Sequence, residues 1–267
     1  MFSVKLMGGM GNQMFQYALG RSLSIRNNTN LCVDLNFYNE EDCHRNYYLD
    51  IFELEVEVCS KVNKSDKAIK QRQWAYDDNI LKIKSGGYID GYWQSPQYFE
   101  GIKDVIRKDF RFKKELSTRG KELQQYIFST NSVCLNIRLT DYVGHPLLGV
   151  CDMDYFINAV DYMNEHIDMS TIFVFSDDIE WCKNNLKSHD KYFFVDHSYA
   201  HSCPTKKFDE YFQLMVSCEN YIIPNSTFAW WAVWLNEKSK IVIAPQRWFI
   251  PDDMDGGDLY FEKWVKI

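Results

Sequence analysis

A short apolar run, Phe2 to Leu6, breaks into a loop holding Gly8, Gly9 and Gly11, and this loop passes straight into the amphipathic stretch Gln13 to Ile25. Another apolar run follows at Leu31 to Leu35. The order predicts strand, glycine-rich turn, helix and strand, the βαβ unit of a parallel sheet. Glycines at such a turn let the backbone approach a ligand, and the N–H groups of the helix start favour an anion. The spacing Gly9-x-Gly11 lacks the third glycine and the later acidic partner of a dinucleotide fingerprint, so no nicotinamide site is expected. A tight structural turn would use the same glycines.

The second half of the chain repeats this grammar more clearly. Strands are predicted at Val133 to Ile137, Thr171 to Phe175, Tyr192 to Val195, Tyr221 to Ile223 and Ile241 to Ala244. Helices are predicted at Tyr155 to His166, from a cap at Asp177 or Asp178 to Leu186, at Lys207 to Cys218, and from a cap at Asn225 or Ser226 through Leu235. Before residue 129, Asn36 to Tyr48 is a predicted loop, Lys61 to Lys84 a helical or irregular insertion and Tyr88 to Tyr92 a strand. Pro96 to Phe110 and Leu116 to Phe128 are predicted helices, the first with its proline near the start. Strands alternating with helices imply parallel sheets covered on both faces. The expected class is α/β with two Rossmann-like domains, residues 1–128 and 129–250. The tail, 251–267, is expected to pack back on the first domain through Trp264 to Ile267.

With 267 residues and 46% apolar side chains, the chain can bury one large core or two smaller ones. Its net charge of −7 disfavours non-specific nucleic-acid binding, which asks for a basic excess. The eight cysteines form no CxxC pair, so neither a zinc site nor a disulfide framework is expected, and reduced thiols fit a cytoplasmic setting. No signal sequence is expected, and with no run of about 18 apolar residues no membrane span is predicted.

The string GGMGNQMFQYALGRSL resembles the N-terminal signature of the α-1,2-fucosyltransferases of glycosyltransferase family 11. The similarity continues through Gly91-Tyr92-Trp93-Gln94-Ser95, Asn136 to Tyr142, Gly149-Val150-Cys151, Phe175-Ser176-Asp177-Asp178, Asn225 to Leu235 and Ile241 to Pro245. These blocks keep the family order and span nearly the whole chain. The resemblance implies the GT-B architecture, two Rossmann-like domains facing a cleft, with the acceptor side in the first and the nucleotide-sugar donor mainly in the second. It implies no cofactor and no metal. It also points to transfer of L-fucose from GDP-fucose to the 2-hydroxyl of a galactoside, in bacterial surface polysaccharide or glycan synthesis. Peripheral contact with a lipid-linked acceptor is compatible with it.

Several residues then become candidates. Arg138, at the carboxyl end of a predicted strand, suits a two-pronged clamp on phosphate; an ion pair with Asp141 is the plain structural alternative. The family motif H-x-R-R-x-D-Y puts its first Arg here as a phosphate ligand. Asp141 and His145 are conceivable bases for an inverting transfer. Gly9, Gly11, Asn12 and Gln13 are expected to face the donor sugar and pyrophosphate. Asn136, Ser176 and Asp177 are assigned to the donor pocket, and Asn225, Ser226 and Thr227 to phosphate at a helix start. Plain N-capping explains Asn225 and Ser226 equally well. Ser176-Asp177-Asp178 is read as cap and pocket wall instead of a cation site.

The departures from the family pattern cluster at donor positions. The motif's His is Asn136, its second Arg is Leu139 and its Gly is Thr140. Leu148 replaces the His of H-G-V-C, three residues after His145. Tyr211 stands where a D-x-x-L-M pattern has the Asp that would read guanine, and Asp209 or Glu210 is the nearest carboxylate. These changes leave the fold expectation intact and keep open a second donor, a UDP- or dTDP-sugar, and a third reading as a glycan-binding protein without transfer.

Overall fold

A computed structural model of the chain describes residues 1–40, 43–60, 68–140, 142, 144–149, 151–168, 171–186, 191–200 and 208–267. The chain divides into two compact units, Met1–Lys113 with Met254–Tyr260, and Lys114–Asp253 with Phe261–Ile267. The sequence places the change of domain after residue 128; in the structure the chain changes unit after Lys113, so the helix ending at Phe128 belongs to the second.

The first unit opens with β1 (Phe2–Lys5), α1 (Met10–Arg26) and β2 (Leu31–Asp34). It continues with β3 (Glu57–Val58), β4 (Ala68–Lys70), β5 (Gly87–Asp90) and α2 (Lys103–Asp109). All five strands are parallel, in the order β3-β2-β1-β5-β4. Phe2, Val4 and Leu6 are fully buried and, spaced by two, line one face of this central strand and its continuation, while Ser3 and Lys5 on the other face are half-buried. Gly20 sits where α1 crosses the sheet: a Cβ there would lie 2.3 Å from Val4 Cγ2 and 2.9 Å from Leu31 Cδ1. Only glycine permits that approach. At Gly8 the backbone turns through φ +75°, a left-handed conformation that other residues adopt at a cost, and α1 begins at Met10, three residues ahead of the expected start.

Two expectations for this unit are corrected. Pro96 to Phe110 is not one helix: 3-10 turns at Pro96–Tyr98 and Glu100–Ile102 precede α2, because Phe99 (φ −130°, ψ 10°) and Ile102 (φ −132°, ψ 23°) leave the helical range. The thiols are not all reduced: Cys32 and Cys59 form a disulfide, brought to a Cα–Cα distance of 5.2 Å beside the β2–β3 pairing. Strand β3 is two residues long and exposed, so nothing in its sequence announces that neighbour.

The second unit holds α3 (Thr118–Phe128), β6 (Ser132–Ile137), α4 (Met153–His166), β7 (Thr171–Ser176), α5 (Ile179–Asn185) and β8 (Tyr192–Phe194). After these come α6 (Asp209–Val216), β9 (Asn220–Ile222), α7 (Thr227–Leu235), β10 (Val242–Ala244) and β11 (Val265–Lys266). The sheet is parallel throughout, in the order β11-β10-β9-β6-β7-β8. The terminal strand therefore lies on this second sheet, against the expectation that it crosses to the first. Alternation decides the layers: Val133, Leu135, Ile137, Ile172 and Val174 share one core with α4 and α5. On the other side Phe173 packs on Tyr126 of α3 and Phe175 on Tyr211 of α6. Each such side chain contributes about 1.5–3 kcal/mol by leaving water. Trp230 and Trp231 of α7 are fully buried, which makes them core. Two parallel sheets, the second with helices on both faces, are the α/β, Rossmann-like halves of the GT-B type.

Candidate functional site

In an open parallel sheet, ligands bind beyond the carboxyl ends of the strands, at the point where strand order reverses. In the second unit that point lies between β6 and β9, which pair directly. Arg138 follows β6; Asn225, Ser226 and Thr227 follow β9 and open α7. Tyr142 ties the two exits together, its hydroxyl donating to Asn225 O at 3.0 Å. The guanidinium of Arg138 lies 5.8 Å from the centre of the Tyr142 ring.

The partner given to Arg138 by the structure is Asp177, with Nε 3.3 Å from Oδ2. Asp141 lies outside the described residues. Asp177 also accepts from Leu139 N (2.9 Å), Thr140 N (3.0 Å) and Thr140 Oγ1 (2.5 Å). This carboxylate thus holds Leu139 and Thr140 after β6 and orients the arginine. A guanidinium carries five N–H donors in a planar fork, and this contact uses Nε. Asp178 caps α5 through Trp181 N at 2.9 Å. No group of three or more metal-ligating side chains occurs among the described residues.

Ser226 occupies the N-cap position of α7 without a side-chain cap bond, so the helix start is not closed by its own hydroxyl. Asn225 has a different task. Its Nδ2 donates to Leu148 O (2.6 Å) and Trp248 O (2.8 Å), fastening the turn that contains His145. Within that turn His145 Nδ1 accepts from Leu147 N (3.1 Å) and Leu148 N (3.3 Å), which leaves the ring proton on Nε2. Asn136 spends its amide on Phe175 O at 3.1 Å, across the β6–β7 pair.

The α6 candidates separate. Tyr211 is buried, accepts from Ser176 N at 2.6 Å and donates to Ser176 O at 3.0 Å, locking the end of β7. Burial pushes its phenol well above the usual range. Glu210 accepts from Ser117 N and Ser117 Oγ, both at 2.9 Å, bracing the start of α3. Asp209, the first residue of α6, is buried beside it. Neither Tyr211 nor Glu210 is presented as a guanine reader.

In the first unit the strand order reverses between β1 and β5. Gly9, the N-cap position of α1, is extended and Gly11 is buried within the first helical turn. Asn12 Oδ1 accepts from Gln94 Nε2 at 2.9 Å, joining the exits of β1 and β5. Gln13, expected to face a ligand, is fully buried instead. Its Nε2 donates to Gly8 O (3.1 Å) and Asn46 O (2.8 Å), and its Oε1 accepts from Tyr48 N (2.9 Å). Gln16 does the same for Met7, accepting from its N–H at 2.9 Å. These two glutamines hold the glycine turn; their polar character inside a helix between apolar neighbours was the available signal.

The model of glycosyl transferase family 11 matches residues 1–267. The chain belongs to that family. It is accordingly a glycosyltransferase. An Escherichia coli alpha-1,2-colitosyltransferase is 33% identical over 98% of this chain and 97% of its own length. The O-antigen biosynthesis glycosyltransferase WbnK of Escherichia coli is 28% identical over 98% and 99%. Among solved structures, the fucosyltransferase NodZ from Bradyrhizobium superposes with a TM-score of 0.55 at 12% identity, covering 86% of this family 11 chain and 91% of NodZ. That likeness shows the fold. No helix among the described residues is long and apolar enough to cross a membrane.

Proposed function

We propose that this family 11 chain transfers L-fucose from GDP-fucose to the 2-hydroxyl of a galactoside, with inversion, in building a bacterial surface glycan. The carrying observation is that Arg138 and the start of α7, which the Ser226 hydroxyl does not cap, flank the β6/β9 reversal and are tied through Tyr142. Both supply positive potential and N–H donors where a diphosphate leaves. In the reaction the bond from the sugar C1 to the phosphate oxygen breaks, and GDP departs with the electron pair. A bond forms from C1 to the acceptor oxygen, whose proton passes to a base. His145 Nδ1 is taken up by the Leu147 and Leu148 N–H groups, so the departing phosphate is the better acceptor of that proton. Asp177, by orienting Arg138, is a positioning residue. NodZ crystallised with GDP has the same fold, which supports a guanine nucleotide here.

Colitose, the 3-deoxy analogue of L-fucose, is the second reading, favoured by the 33% identical relative. A site that hydrogen-bonds the sugar 3-hydroxyl discriminates strongly against the analogue lacking it. Competing GDP-fucose against GDP-colitose in one reaction tests this point. A thermal-shift series with GDP, UDP and dTDP tests the donor class: stabilisation by GDP alone is expected, and stabilisation by another nucleotide instead refutes it.

A further inference from the structure

The carboxyl edge of the first sheet carries a feature that phosphate chemistry does not use. Trp74 and Tyr92 follow the neighbouring strands β4 and β5, and their rings stack with centroids 5.8 Å apart and planes 18° from parallel. Both are only half-buried, unlike the core aromatics of this unit such as Phe52, Phe99 and Phe110. Gln71 fixes the pair from below: its Oε1 accepts from Tyr92 N at 2.7 Å and Trp93 N at 3.3 Å.

The backbone here is held in an uncommon state. Trp93 has φ +57°, left-handed for a bulky residue, and follows Gly91 at φ +159°. Such conformations cost energy and persist where the surroundings enforce them, often at ligand sites. The twist carries the chain from the half-exposed Tyr92 to the buried Gln94. There Nε2 is bonded to Asn12, while Oε1 is buried with no hydrogen-bond partner. Beside them, Tyr38 donates to Gly8 O at 3.3 Å, and burial pushes its phenol up, with Tyr92 among the lesser causes. Aromatic faces, an unsatisfied amide oxygen and a strained turn thus meet at the β1/β5 reversal, where this kind of sheet takes ligands.

The geometry points to a pyranose-binding shelf, with Trp74 and Tyr92 stacking on the C–H face of the acceptor galactoside and Gln94 with Asn12 reading its hydroxyls. Galactose suits this arrangement because its axial 4-hydroxyl leaves H3, H4 and H5 together as one apolar face. The choice of ligand rests on the galactoside reading above. The shelf itself is built wholly within the first unit.

The test uses the intact chain, no donor, and methyl β-D-galactopyranoside as probe in saturation-transfer NMR. Saturation is expected to reach H3, H4 and H5 most strongly, in the parent and in Tyr92→Phe alike. Trp74→Leu and Tyr92→Leu, which keep apolar bulk but lose the ring, should weaken binding about three- to tenfold, the range for one aromatic stack. Should either leucine variant fail to fold, 19F NMR of the 5-fluorotryptophan-labelled parent gives the same answer. The Trp74 resonance, identified by its absence from Trp74→Phe, must shift as the galactoside is added. In turnover, the leucine variants should raise the acceptor KM by the same factor and leave the donor KM unchanged. Binding by Trp74→Leu equal to the parent, an unmoved Trp74 resonance, or no saturation transfer to the parent overturns the shelf. Because these readings contain no donor, they remain interpretable if no GDP-sugar is turned over, and that failure would strike the transfer reading alone.

Discussion

Replacing Tyr211 by Phe removes one oxygen atom from the middle of the second unit and nothing else. That oxygen accepts from Ser176 N at 2.6 Å and donates to Ser176 O at 3.0 Å. Ser176 O keeps a second partner, His197 Nε2 at 2.7 Å, so the loss falls on the Ser176 N–H. A buried donor left without its acceptor costs about 1–3 kcal/mol, and the phenyl ring preserves the contact with Phe175 and most of the packing volume. We therefore expect Tyr211→Phe to lower the unfolding free energy by about 2 kcal/mol. Urea denaturation read by far-ultraviolet circular dichroism, compared at equal m-value, measures it. GDP affinity of the folded variant should stay within about twofold, since the oxygen serves the strand end and not the base. A change in stability below about 0.5 kcal/mol would refute the locking role. A large loss of GDP affinity with stability unchanged would return Tyr211 to the donor pocket.

Other expectations follow from the same geometry. Arg138→Ala should lower turnover by about 2–4 kcal/mol of transition-state stabilisation, and Arg138→Lys should restore only part, since the planar fork is lost; near-normal kcat/KM in folded Arg138→Ala excludes the phosphate role. Glu210→Ala should destabilise by about 1–3 kcal/mol by orphaning the Ser117 N–H, with GDP affinity kept, whereas Asp209→Ala should weaken GDP binding by about 1.5–3 kcal/mol if it meets the guanine edge. Calorimetric titration separates the two, and normal GDP binding by both removes this helix from base recognition. Turnover should be insensitive to EDTA, with Arg138 and the α7 start supplying the positive charge a cation supplies elsewhere. Loss of activity in EDTA, restored by manganese or magnesium, would contradict that.

Much of the fold was legible because parallel strands buried on both faces are continuous apolar runs, as at Val133 to Ile137, and each is followed by a patterned helix. The short strands were not: Glu57–Val58 and Ala68–Lys70 are edge strands, too brief and too charged to carry a period, and the disulfide partner of Cys32 hides beside one of them. Arg138 was legible by its place at a strand end. Its partner was not, because Asp177 arrives from the next strand, 39 positions along, by register and not by sequence proximity. Gln13 shows the limit most plainly. An amide beside a glycine turn is equally fit to bind a ligand or a loop, and only the path of residues 46–48 decides for the loop. Glu210 and Tyr211 repeat that ambiguity on α6, where their partners are backbone atoms of Ser117 and Ser176.

The most direct test of the account is a single reaction. Purified chain, GDP-fucose and a β-galactoside are incubated without added metal, and the product is identified by NMR. Release of GDP is expected together with an α-linked L-fucose on the galactose 2-oxygen, the anomeric centre having inverted from the β-linked donor. A fucoside at another position, a retained configuration, or turnover of UDP- or dTDP-sugars in place of any GDP-sugar would contradict it.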